Sequence, residues 1–196
     1  MCGARPSTYC PAMHLSDAEL LGAGTAGIPQ PSARGRWDLV LLDRDGTLNV
    51  HRPGYIERPE DLQVLSGAAA AVRSLNDHGI PVAIVTNQQG VGKGLMDAAA
   101  LVAVHRALIE GLQPGRIDAF AVCPHLAGTC ACRKPADGLF RHILDRAPWA
   151  DPRRCVMVGD SDSDLQPALG LGMAVVKVDG RERLLDKNSM TRLLKV

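Results

Sequence analysis

Two aspartates, two residues apart at the end of an apolar run, are the residues of this chain best suited to chemistry. Val40-Leu41-Leu42-Asp43-Arg44-Asp45-Gly46-Thr47-Leu48 reads as a buried strand delivering Asp43 and Asp45 into a Gly-Thr turn. Side chains at i and i+2 leave a strand on one face, so both carboxylates can converge on one point. The carboxyl end of a strand is where open parallel sheets place their ligands. One carboxylate can attack a phosphorus atom while the other moves a proton.

Three later segments supply what such chemistry needs. Ile80-Pro81-Val82-Ala83-Ile84-Val85-Thr86-Asn87 reads as a second buried strand, and the Thr86 hydroxyl at its end can hydrogen-bond a transferring phosphoryl oxygen. Arg133-Lys134-Pro135 supplies cations, and Lys134 can neutralise charge on the phosphoryl group. Cys155-Val156-Met157-Val158-Gly159-Asp160 is a third such strand, running into Asp160, Asp162 and Asp164. Hard oxygen ligands at a strand end suit Mg²⁺. Taken singly, Thr86 could be a helix cap, Lys134 a solvated charge and Asp160 a turn residue.

A second constellation has different chemistry. Cys123, His125, Cys130 and Cys132 fall within ten residues and make a Cys₃His set, which suits tetrahedral Zn²⁺. A complete set leaves no open position for water, so the site reads as structural. Its loop runs straight into Arg133 and Lys134, so the metal would position those cations indirectly. The competing reading is reduced buried cysteines beside a surface histidine.

The DRDGT run resembles the signature of the haloacid dehalogenase superfamily, most of whose members are Mg²⁺-dependent phosphatases. The order DRDGTLN, TNQ, CPH and CxCRKP narrows this to a small, capless branch. That branch contains the D-glycero-D-manno-heptose 1,7-bisphosphate phosphatases and the histidinol-phosphate phosphatases. The resemblance runs from about Trp37 to Asp179. It implies that Asp43 is the nucleophile, forming an aspartyl-phosphate, and that Asp45 is the general acid and base. It implies that Mg²⁺ is held by the Asp43 carboxylate, the Asp45 backbone carbonyl and Asp160. Thr86 and Lys134 would hold the phosphoryl group. Arg133, Pro53-Gly54-Tyr55 and Asn87-Gln88-Gln89 would face the rest of a small anionic sugar phosphate. The Pro53-Gly54-Tyr55 segment and the Lys93-Gly94 rim favour the heptose enzymes over the histidinol-phosphate ones. A non-catalytic, zinc-stapled scaffold is the alternative from a different class.

The elements that must position these residues follow from periodicity. Strands are expected near 38–43, 81–86, 117–122, 154–159 and 173–178, with helices near 67–79, 97–112, 137–147, 162–171 and 181–195. Short apolar runs alternating with helical segments indicate βαβ units and an α/β, Rossmann-like, doubly wound parallel sheet. Asp97 should cap the second helix and Gly79 should end the first. The segment from Asn49 to Ser66 is too short for a mobile cap domain. Residues 1–36 are rich in Gly, Ala, Pro and Ser and are expected to be a disordered extension with at most one helical turn, over 16–21. An arm closing over the active site is the alternative, and the phosphatase domain is expected over 37–196.

Composition sets the remaining bounds. The chain of 196 residues fits one domain, and a net charge of +1 argues against nucleic acid or an anionic membrane as partner. No apolar run reaches the length of a transmembrane helix. Cysteine usage suits a reducing cytoplasm, and a monomer is expected. His105 reads as a packed or half-exposed helix histidine. His51 is a weak candidate for a substrate contact.

Overall fold

The computed structural model describes residues 15–32 and 35–179. Five parallel strands form its centre: β1 (Leu39–Leu42), β2 (Val82–Asn87), β3 (Ala119–Cys123), β4 (Cys155–Gly159) and β5 (Ala174–Lys177). They lie in the order β3-β2-β1-β4-β5. The chain first builds outward from β1 through β2 to β3, then returns to lay β4 on the other side of β1. That reversal opens a crevice at the carboxyl end of β1, the switch point where ligands bind in such sheets.

Both faces of the sheet are covered, which explains why its strands are apolar without alternation. Val40, Leu42, Val82, Ile84, Val156 and Val158 face α2 (Ala68–Asp77) and α4 (Ala98–Gly111) in one core. Leu39, Leu41, Ala83, Val85, Cys155 and Met157 face α5 (Gly138–Asp145) and α6 (Asp162–Gly170) in the other. Neighbours in sequence thus go to opposite cores, as the period of a strand requires. Register aligns Leu42 with Ile84 on one side and Val158 on the other, so the three strands end together.

The elements expected from periodicity form close to their expected positions. Asp97 caps α4 by accepting from the Ala100 N–H at 2.8 Å. Gly79 follows α2 at φ +73. The helix expected over 181–195 lies outside the described residues. No cap domain interrupts the chain between β1 and α2, where the only helical piece is one 3₁₀ turn over Pro59–Asp61. Among the described residues no helix is long and apolar enough to cross a membrane.

The expectation of a disordered extension through residue 36 needs correction over 15–32. The short helix α1 (Asp17–Leu20) buries Leu20 in the first core, and Ile28 is buried in the second. This arm therefore passes around the β3 edge of the sheet. Glu19 and Arg146 fasten it as a buried ion pair, with oxygens at 2.8 and 2.9 Å from Nη2. Arg146 also donates Nε–H to the Ala26 carbonyl, and Trp149 donates its indole N–H to Ile28. Gly22 is required where the arm meets β3, because a Cβ there would lie 2.4 Å from the Val122 nitrogen. The helical turn expected over 16–21 forms as α1; the arm's docking was not legible because its polar residues are paired by tertiary contacts.

Candidate active site

Strand β1 hands its backbone to the site directly. The Asp43 N–H donates to the Val158 carbonyl at 2.9 Å, so the sheet ladder runs on to the first aspartate. The chain then turns at Gly46, whose φ of +82 suits glycine. Asp43, Asp45, Thr86, Lys134, Asp160 and Asp164 line a cleft of about 250 Å³ at the carboxyl ends of β1, β2 and β4. The residues expected from sequence to carry phosphoryl chemistry thus share one cavity. Asp162 leaves the group: it points outward and pairs with Lys177 at 2.7 Å.

Lys134 sits at the floor of the cleft with all three ammonium hydrogens engaged. Its Nζ lies 2.6 Å from Asp43 Oδ1, 2.6 Å from Asp164 Oδ1 and 2.7 Å from the Val85 carbonyl. An ammonium has only three donors, so a phosphoryl oxygen would bond to it only by displacing one of these partners. Its charge acts on the cleft regardless. Burial opposes that charge, but Asp43 and Asp164 outweigh it and hold the Lys134 pKa above its usual value.

The two aspartates titrate in opposite directions. Burial pushes Asp43 up to about 7, with Asp164 and Asp45 adding to the rise and Lys134 opposing it. Burial acts on Asp45 too. There the Arg44 guanidinium and hydrogen bonds from Asn49, Arg44 and Gln88 overcome it, holding the carboxyl below its usual range. Arg44 Nη2 reaches both Asp45 oxygens, at 2.9 and 2.8 Å. Asn49 Nδ2 donates to Oδ1 at 3.0 Å and Gln88 Nε2 to Oδ2 at 2.9 Å. Free of substrate, Asp45 is an oriented carboxylate.

The donor set fits a hard cation. Asp43, Asp160 and Asp164 each bring a carboxylate oxygen within 4.8 Å of the others. Four carboxylates line the cleft beside the cations Lys134, Arg44 and Arg52. Burial and the neighbouring Asp164 raise the Asp160 pKa, as expected where a counter-cation is wanted. Gly46 makes room for this arrangement, since a Cβ there would fall 2.1 Å from Asp160 Oδ2. Sequence placed Asp164 only in the acidic run after β4, without a role of its own. Its side chain also closes a capping box with Ser161.

The expected substrate contacts divide. Gly54, Tyr55, Asn87 and Gln88 line the cleft, whereas Pro53, Gln89 and Arg133 are not among its lining residues. Gln88 is only 2% exposed and bridges Asp45 to Thr86 Oγ1, the latter at 2.9 Å. Asn87 clamps the Lys134 backbone with two hydrogen bonds of 3.1 Å. Both therefore hold other site residues in place. Arg133 is half-buried, and its Nη1 has no hydrogen-bond partner. His51 and Arg52 line the cleft mouth. Lys93 lies over the Tyr55 ring, 5.3 Å from its centre. Arg44 and Asn49, which sequence left without a role here, surround Asp45 together with Gln88. Arg44 was legible only as the middle residue of DRDGT, between the two aspartates.

The Cys₃His set also converges. Cys123 Sγ lies 3.5 Å from Cys130 Sγ and 3.6 Å from His125 Nδ1, and Cys132 Sγ lies 3.3 Å from Cys130 and 3.2 Å from His125. All three thiols are free of disulfides. Ligand–ligand edges around tetrahedral zinc run roughly 3.5–3.8 Å for Zn–S and Zn–N bonds of ordinary length. The observed edges need little expansion to accept the ion. The loop is braced on its other side, where the Gly92 N–H at the end of the short helix α3 (Gln89–Gly92) donates to the Pro124 carbonyl at 2.9 Å.

Known proteins resemble this chain in sequence and fold. Residues 43–172 match the model of the haloacid dehalogenase-like hydrolases. The D-glycero-alpha-D-manno-heptose-1,7-bisphosphate 7-phosphatase of Mycobacterium tuberculosis is 41% identical over 139 residues, 69% of this chain and 73% of that protein. The beta-anomer enzyme of Bordetella bronchiseptica is 37% identical over 139 residues, 69% and 77% of the two chains. A crystal structure of D,D-heptose 1,7-bisphosphate phosphatase from B. bronchiseptica, complexed with magnesium and phosphate, superposes with a TM-score of 0.71 at 32% identity. It covers 80% of this chain and 98% of that one. With the paired aspartates at the switch point of a capless parallel sheet, these matches show that the chain belongs to the haloacid dehalogenase-like hydrolases.

Proposed function

We propose that the protein is a Mg²⁺-dependent phosphatase that removes the C7 phosphate of a D-glycero-D-manno-heptose 1,7-bisphosphate. The observation that carries the substrate class is 41% identity to a heptose bisphosphate phosphatase over 69% of the chain. The cleft supplies the chemistry. An Asp43 oxygen attacks phosphorus, the bond from phosphorus to the sugar oxygen breaks, and Asp45 delivers a proton to that oxygen. Water then attacks the aspartyl-phosphate, Asp45 takes its proton, and inorganic phosphate leaves Asp43. An incoming phosphate dianion raises the proton affinity of Asp45, which equips a carboxylate of low pKa to carry the proton it must give. Thr86 Oγ1 donates toward the phosphoryl oxygens, and Lys134 offsets their charge.

Mg²⁺ would be held by the Asp43 and Asp160 carboxylates and the Asp45 carbonyl, with Asp164 beside them. When bound it would neutralise phosphoryl oxygens and keep Asp43 ionised. Zn²⁺ bound by Cys123, His125, Cys130 and Cys132 would brace the loop that carries Lys134. Thiols kept free for that ion suit a reducing cytoplasm.

Phosphate release from the α and β heptose 1,7-bisphosphates, measured beside histidinol phosphate, tests the reading. Mg²⁺-dependent release with a kcat/KM at least about 100-fold higher for a heptose bisphosphate supports it. Preference for histidinol phosphate would replace it with the imidazole-bearing substrate. No release from any phosphoester would leave the zinc-stapled scaffold.

A further inference from the structure

His105 is fully buried in α4 and is not itself among the residues that line the cleft. Its Nε2 lies 3.2 Å from Arg44 Nη1, and its Nδ1 lies 2.7 Å from the Leu20 carbonyl of the N-terminal arm. An arginine only donates, so Nε2 must accept. The proton then sits on Nδ1, where the Leu20 carbonyl accepts it. Burial first, and the Arg44 charge second, depress the His105 pKa to about 3, so the ring is neutral. Phe120 fixes the ring plane from the side, with centroids 4.8 Å apart. Arg44 itself is 1% exposed. The cation that embraces Asp45 is therefore fixed from behind by one acceptor atom, and the arm decides which nitrogen provides it.

We propose that His105 is a positioning residue for phosphoryl transfer: locked in its Nδ1–H tautomer by the Leu20 carbonyl, it holds the Arg44 guanidinium that orients Asp45. The arm thus becomes part of the catalytic support. It lies outside residues 43–172, so the matched family region does not contain it. This inference rests on the phosphatase reading above, in which Asp45 protonates the leaving oxygen. A guanidinium is planar and donates in a fixed fork, so tilting it moves every bond it makes to the carboxylate. Loss of the Nε2 acceptor leaves a buried Nη1 unpartnered and frees that tilt.

Leaving-group dependence separates this role from a structural one. A sugar alkoxide must be protonated as it leaves, whereas p-nitrophenolate leaves without a proton. kcat/KM covers the steps up to departure of that group, so the later water step does not enter. His105→Phe keeps the ring volume and removes both hydrogen bonds. His105→Asn keeps a donor for Leu20 but is too short to offer Arg44 an acceptor, and it carries the test if the Phe variant does not fold. His105→Gln can place an amide oxygen near the Nε2 position. With folding checked by thermal melting and Mg²⁺ present, kcat/KM for the heptose bisphosphate should fall about tenfold or more beyond the fall for p-nitrophenyl phosphate in the Phe and Asn variants. The Gln variant should recover most of that difference. Nitrogen-15 NMR of the wild-type protein should show protonated Nδ1 and unprotonated Nε2. Equal losses on both substrates, no recovery by Gln, or an Nε2–H tautomer would each overturn the proposal. A wild-type protein inactive on both substrates would instead sink the phosphatase reading on which it rests.

Discussion

Two aspartates of the same type, two residues apart, differ because their neighbours differ. Asp43 is 6% exposed and shares Lys134 with another carboxylate, so desolvation dominates and its proton affinity rises. Asp45 has Arg44, Asn49 and Gln88 around it, and their donors overcome the same penalty. Removal of the attacking oxygen in Asp43→Asn should lower phosphate release by at least about 10³-fold, checked by phosphate assay at saturating Mg²⁺. Wild-type-like turnover would assign the nucleophile elsewhere. The raised pKa also has a stability consequence. The folded state holds the Asp43 proton up to about pH 7 while the unfolded chain releases it near 3.8. Its stabilising contribution is therefore complete below 3.8 and is lost as pH rises through about 7. In EDTA, Asp43→Asn should melt above wild type at pH 8, and that advantage should shrink towards pH 5. A melting-temperature gap that stays constant across this range would contradict the assigned burial.

At the scale of elements, two loops do the positioning. The Gly46 turn lets the Asp160 carboxylate approach β1, and a methyl group would occupy its oxygen's place. Gly46→Ala should raise the Mg²⁺ concentration for half-maximal activity about tenfold, the scale of 1.4 kcal/mol. Its positive φ should cost about 1–2 kcal/mol in stability as well. Unchanged Mg²⁺ dependence, measured by titrating the metal, would separate Asp160 from the cation. The Cys₃His loop bears the chain into Lys134. About one zinc per chain should copurify. Cys130→Ser should then lose zinc, melting temperature and activity together. Elemental analysis without zinc, on protein never exposed to chelator, would reject the structural ion.

At the scale of the whole molecule, the arm joins both faces of the sheet. It packs in one core through Leu20, rounds the β3 edge and packs in the other through Ile28. A free edge strand invites association, and covering it is one way that sheets avoid it. The Glu19–Arg146 pair is the arm's fastening, with side chains 11% and 6% exposed. Glu19→Ala leaves a buried guanidinium unpaired, so it should cost about 3–5 kcal/mol in denaturant unfolding. A loss below about 1 kcal/mol would mean that the arm is not docked in solution.

The sequence by itself determined the sheet, its strands and most of the cleft. Apolar runs flanked by helical periodicity specify buried parallel strands, and residues at strand ends converge because strands in register end together. Asp43, Asp45, Thr86 and Asp160 were legible for that reason, and Lys134 as the cation of the Arg133-Lys134-Pro135 run. Cys123, His125, Cys130 and Cys132 were legible because a short loop cannot carry its ligands far apart. Tertiary structure alone decided what surrounds each group. Asp164 pairs with Lys134 across thirty residues of chain, and Gln88 turns from substrate contact to a brace between Asp45 and Thr86. The arm's docking and the line from Leu20 through His105 and Arg44 to Asp45 lacked any local signal. Hydrogen bonds and ion pairs between distant segments leave no periodicity in sequence. They exist only once the sheet has brought those segments within about 3 Å of one another.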